Sequence, residues 1–169
     1  MSIDIETMTP ADWGEVRAIY LDGVASGQST FEVEAPSWEE WDAGHHPFAR
    51  LVARADGRVV GWAALSPVSR RRCYAGVAEV SVYVAADHRG RGAGGRLLHA
   101  VIGESEQHGI WTLQGATFPQ NEASLRLQRA CGFREIGRRR RIAQLRGVWR
   151  DTILTERRSG VVGTEDGTD

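Results

Sequence analysis

A chain of 169 residues can bury most of the apolar surface of one domain and leaves no room for a second full one. Its 41% hydrophobic and 25% charged residues are those of a soluble globular protein, no apolar run is long enough to span a membrane, and a net charge of -1 lacks the basic excess of a nucleic-acid binder. Cys73 and Cys131 stand apart from any C-x-x-C or Cys/His cluster, so neither a disulfide framework nor a metal site is expected; the start, MSIDIETMTP, has no secretory pattern, and a cytoplasmic location is expected.

Residues 3–7 alternate apolar and polar as a half-buried first strand does. Thr9, Pro10 and Asp12 supply helix-start chemistry, and Trp13, Val16, Ile19, Tyr20 and Val24 form one stripe of a helix over about 10–24. The segment 25–36 lacks any period and ends in Pro36, so it is a loop; Ser37 then caps a short second helix. Two apolar runs between 48 and 65 flank Asp56-Gly57, a strong hairpin signal. In VAEVSVYV, Val80, Val82 and Val84 share one face of a strand, and Glu79, Ser81 and Tyr83 the other. A helix from about Gly92 to Gly109, a strand WTLQGA, a helix NEASLRLQRAC and two further strands follow, in the order β-α-α-β-β-β-α-β-α-β-β. The arginine runs at 70–72 and 138–141 are candidate small-anion sites or solvated faces.

The stretch HRGRGAGG admits two readings. Gly90, Gly92 and Gly95 fit G-x-G-x-x-G, but five residues separate the valine-rich strand from Gly90 and no carboxylate ends the following strand, which argues against a dinucleotide fold. No Gly-Lys-Ser/Thr is present for a Walker A loop. From Arg89 the same residues spell R-x-x-G-x-G before a helix, where unpaired N–H groups and the helix dipole attract a phosphate and Arg89 and Arg91 add charge-assisted bonds.

Together with Ser29-Thr30-Phe31-Glu32, Glu79, Asn121 and Ser124 in NEASLRLQRACGF, and Gly147-Val148-Trp149-Arg150-Asp151, this loop resembles that of the GNAT-superfamily acetyltransferases. Over about 3–157 the chain is similar to the phosphinothricin and methionine sulfoximine N-acetyltransferases, with 158–169 expected to be a disordered tail. The resemblance implies an α/β (α+β) GNAT fold: a twisted, mostly antiparallel mixed sheet, helices on both faces and splayed central strands. It implies an acetyl-CoA-dependent N-acetyltransferase whose small amino-acid substrate, or a toxic analogue, attacks the thioester directly. It also implies a homodimer, for which 28–34 and 147–153 are the candidate contacts.

By the same resemblance, the backbone of Val82, Tyr83 and Val84 binds the pantetheine arm, and Arg89, Gly90, Arg91, Gly92, Ala93, Gly94 and Gly95 take the phosphates. Asn121 and Ser124 reach the cofactor arm, although Asn121 also suits a helix cap. Glu79 is the candidate general base for the amine. Phe31, Arg71, Arg72 and Tyr74 are the candidate substrate contacts, an arginine fork being suited to a carboxylate or phosphinate.

Two positions depart from the family pattern. Ala75-Gly76 follows Tyr74 where relatives carry a bulkier basic residue, and Gln128 stands five residues before Phe133, where a tyrosine or histidine would protonate the leaving thiolate. The Gln128 departure leaves a non-catalytic acyl-CoA-binding sensor as the alternative function. Acetylation of a protein amino terminus fits the small-molecule subgroup less well.

Overall fold

The computed structural model describes residues 2–166. Asp56 (φ 48°) and Gly57 (φ 78°) both take the left-handed backbone that a tight hairpin turn needs, and join β2 (Leu51–Ala55) to β3 (Arg58–Pro67) in antiparallel register. β1 (Asp4–Thr7) adds to the free edge of β2, and β4 (Val77–Val84) to that of β3. After α3 (Ala93–Gln107), the chain returns as β5 (Thr112–Thr117), parallel to β4. The last hairpin, β6 (Arg134–Leu145) and β7 (Val148–Arg158), turns at Arg146-Gly147 and puts β7 against β5. Among the described residues seven strands run β1-β2-β3-β4-β5-β7-β6, with only the β4–β5 pair parallel. This is the mixed, mostly antiparallel sheet that the sequence predicts.

Helices α1 (Trp13–Ser26) and α2 (Trp38–Gly44) cover one face. Pro10 to Asp12 form a 3-10 turn ahead of α1, closed by the Thr9/Asp12 capping box, so the helix proper starts later than the periodicity suggests. Val16, Ile19, Tyr20 and Trp13 pack there on Trp41, Val52, Val59 and Trp62. On the opposite face, Leu97, Leu98 and Val101 of α3 pack on Val60, Leu65 and the valines of β4, each such buried side chain contributing roughly 1.5–3 kcal/mol. α4 (Glu122–Ala130) lies beside α3, with Leu127 against the same cluster.

Residues 158–163, expected to fray, carry a hydrogen-bonded turn. Ser159 is buried; its Oγ donates to Glu106 and accepts from the N–H groups of Val161 and Val162, while Arg158 donates to the carbonyls of Val162 and Gly163. Residues 167–169 of the expected tail lie outside the described residues.

Candidate active site

The parallel pairing of β4 with β5 covers only Val77, Ala78 and Glu79 against Thr112, Leu113 and Gln114. Beyond it, β4 stays with β3 and β5 with β7, so the two central strands part after Glu79. A cavity of about 860 Å³ opens in the gap. Its walls include Val82, Tyr83 and Val84 of β4, Gly115, Ala116 and Thr117 of β5, and Asn121, Ser124 and Gln128 on or beside α4. The glycine loop and Glu79 therefore open onto one space.

At the loop, Gly90 (φ 73°) and Gly92 (φ 89°) hold left-handed backbone, and a Cβ on either would meet nothing within 4 Å. Backbone conformation, more than crowding, requires glycine at both. Gly92 caps α3 without a side-chain bond, leaving the N–H groups of Ala93, Gly94 and Gly95 without acceptors inside the helix. All three residues line the cavity, as do Gly90 and Arg89, whose Nε donates to the Val84 carbonyl at 3.4 Å. Gly94 serves packing as well as access, since a Cβ there would lie 3.1 Å from Leu127 Cδ2. Arg91 is exposed and does not line the cavity, whereas His88 and Arg126, which the sequence reading passed over, do.

Asn121 is the cap of α4: its Oδ1 accepts from the Ser124 N–H, and its Nδ2 donates to the Gln28 carbonyl, tying the loop after α1 to α4. Arg150 reinforces that tie by donating to the Gly27 carbonyl and lying over the Phe118 ring at 4.1 Å. Phe31 meets Phe118 edge-on at 4.9 Å and lines the cavity with Thr30 and Glu32.

Glu79 faces the other end. Burial pushes its carboxyl above the ordinary value, the Arg139 guanidinium opposing this more weakly, while the cavity keeps the side chain open to solvent. Tyr83 stacks on Trp62 at 4.9 Å and meets Tyr20 at 5.2 Å; burial raises its hydroxyl pKa. Gly23 admits the Tyr83 ring, which would lie 2.8 Å from a Cβ on that residue. Trp41 and His45 stack at 4.2 Å beside this group, and desolvation lowers the His45 pKa, favouring the neutral ring. These aromatic walls are not legible in the sequence, because Tyr20 and Trp41 carry only the ordinary signal of a helix's buried stripe.

Arg71, Arg72 and Tyr74 do not line the cavity. They occupy an exposed turn before β4, where Arg71 sits over the Tyr74 ring at 5.5 Å. Gly76 follows there because Trp111 occupies the space, its ring 2.0 Å from where a Cβ would stand. Of the 138–141 run, Arg138 pairs with Asp151 at 2.7 Å, the charge of Arg140 also acts on Asp151, Arg141 lies over Trp149, and the charge of Arg139 acts on Glu79. The two segments expected to meet a second copy expose Val33 at one and Val148 and Trp149 at the other.

The site is thus a strand pair parted beside a glycine-rich helix start, with a carboxylate at the fork. The family model described as Acetyltransferase (GNAT) family matches residues 13–133, and the chain belongs to that family and is an N-acetyltransferase. It is 35% identical over 156 residues to a phosphinothricin N-acetyltransferase of Alcaligenes faecalis, covering 86% of this chain and 77% of the relative. It is 32% identical to an L-methionine sulfoximine/L-methionine sulfone acetyltransferase of Pseudomonas paraeruginosa, covering 92% and 94%. Among solved structures, a GNAT-superfamily phosphinothricin acetyltransferase from Sinorhizobium meliloti in complex with AcCoA superposes with a TM-score of 0.87 at 26% identity, covering 100% of this chain and 95% of that one.

Proposed function

We propose that the chain transfers acetyl from acetyl-CoA to the α-amine of a small amino acid or toxic analogue of the phosphinothricin or methionine sulfoximine type. The observation that carries this reading is the single cavity joining the glycine loop to Glu79 where β4 and β5 part. Acetyl-CoA supplies the thioester. The N–H groups at the start of α3, with Arg89, hold the diphosphate. The unpartnered edge of β4 over 82–84 binds the pantetheine amide and polarises the acetyl carbonyl.

Glu79 takes the proton that an α-ammonium must lose before nitrogen can attack. Its raised pKa suits a base better than that of an ordinary exposed carboxylate. Arg71 and Arg72 stand on an outer turn and Arg139, whose charge acts on Glu79, also lies outside the cavity wall, so this reading assigns none of the three to the substrate carboxylate.

Thermal melting tests both halves. Acetyl-CoA at about 100 times its Kd adds roughly 2.7 kcal/mol, hence a rise of roughly 5–10 °C for a chain of this size. CoA with phosphinothricin present should raise the midpoint further than CoA alone. A shift with NAD or NADP but none with acetyl-CoA would overturn the assignment.

A further inference from the structure

Gln128 is buried, and its side-chain amide is fully used within the protein. Its Oε1 accepts from Thr155 Oγ1 at 2.5 Å, while Nε2 donates to Thr117 Oγ1 at 2.8 Å and to Ser124 Oγ at 3.0 Å. An amide nitrogen has two hydrogens, so none is left for the cavity. Both hydroxyls are thereby acceptors, and each must direct its own proton elsewhere. Among the described residues, neither proton has an acceptor in the protein.

Thr117 is buried and Ser124 half-buried, and both line the cavity. Their position relative to the fork is fixed by Gly115, the first β5 residue beyond the Glu79–Gln114 pair. A Cβ there would lie 2.6 Å from Thr155 Oγ1 and 2.8 Å from Gln128 Oε1, so the amide rests directly on the strand where it leaves β4. The hydroxyls it orients stand in the wall of the cleft that Glu79 enters.

We propose that Ser124 is a catalytic residue whose hydroxyl donates a hydrogen bond to the thioester sulfur as it leaves, and that Gln128 is the positioning residue that turns this hydroxyl outward. The inference rests on the acetyl-transfer reading above. Glu79 passes the ammonium's proton to solvent; the neutral amine nitrogen then forms its bond to the acetyl carbon and gives its second proton to the free Glu79 carboxylate, while the carbon–sulfur bond breaks with its electron pair on sulfur. Ser124 stabilises that charge without surrendering its proton, and the departing thiolate takes one from solvent while Glu79 returns one to solvent. A hydrogen bond to an ionised partner is of the strong kind.

The pKa of the CoA thiol in its binary complex, followed by thiolate ultraviolet absorbance against pH, isolates this contact from turnover. In the wild type it should lie about one unit or more below that of free CoA. Ser124→Ala should remove the depression while calorimetric CoA affinity stays within about tenfold, and Ser124→Thr, which retains a hydroxyl, should restore much of it. Gln128→Glu replaces the donating amide by a carboxylate that accepts the hydroxyl protons, and should raise the thiol pKa with Ser124 intact. Equal thiol pKa values in wild type and Ser124→Ala, both binding CoA, would overturn the role of Ser124 and leave the functional reading standing. Failure of the wild type to bind CoA would overturn both.

Discussion

Replacing Glu79 by glutamine is expected to lower turnover by about 10²–10⁴ while leaving acetyl-CoA affinity nearly unchanged. The substitution keeps the shape of the side chain at the fork and removes its ability to take a proton. Burial raises the Glu79 pKa, so wild-type kcat/KM should climb with pH through that raised value before the base is fully available; in Glu79→Gln this acid limb should vanish. The stability sign runs the other way. A carboxyl whose folded pKa exceeds its unfolded one loses stability as pH rises from the unfolded value through the folded one. At neutral pH the glutamine variant should therefore be no less stable than the wild type, which separates lost chemistry from lost fold. Unaltered turnover between pH 6 and 9 would make Glu79 a strand residue only.

The glycine loop should be the most sensitive element for donor binding. Gly92→Val forces a β-branched residue into backbone at φ 89°, a conformation such residues essentially avoid. Because a Cβ there meets nothing within 4 Å, the damage should come chiefly from rearrangement of the loop and loss of the N–H cradle; acetyl-CoA affinity is expected to fall by at least about a hundredfold. Arg89→Ala removes one charge-assisted bond, on the order of 1.5–3 kcal/mol, and should weaken affinity roughly ten- to hundredfold. With acetyl-pantetheine, which lacks the diphosphate, both variants should approach wild-type rates. The same proportional loss with both donors would show the loop to be structural.

Much of this architecture is legible in the sequence because the signals are local. Asp56-Gly57 announces its hairpin, and the alternation in VAEVSVYV separates Val80, Val82 and Val84 from Tyr83, which pack on opposite faces of the sheet. Periodicity reports that a residue is buried and is silent on its partners. The insertion of β7 between β5 and β6, which leaves β5 free to part from β4, depends on pairings 36 to 46 residues apart in the chain, such as Gly115 with Thr155. The same limit hides the wall formed by Tyr20, Trp41 and Trp62.

Gln128 shows the limit most sharply. By sequence it is a missing proton donor; in the fold it is a buried hydrogen-bond node joining Thr155, Thr117 and Ser124. Arg71 and Arg72 err in the opposite direction, their residue type suiting an acidic substrate while the turn that carries them lies outside the cavity. Arginine composition alone does not show which arginines border the cavity: Arg139, whose charge acts on Glu79, is also outside its wall, whereas Arg126 is on it.

Turnover with a defined amine separates an enzyme from a binding module of the same fold. Purified protein, acetyl-CoA and a panel of phosphinothricin, methionine sulfoximine, methionine and carboxylate-free amines can be followed by thiol release, with the products identified by mass spectrometry. The expected result is one free thiol for each N-acetylated product, fastest with phosphinothricin or methionine sulfoximine. Acetyl-CoA binding without acetylation of any amine in the panel would contradict it.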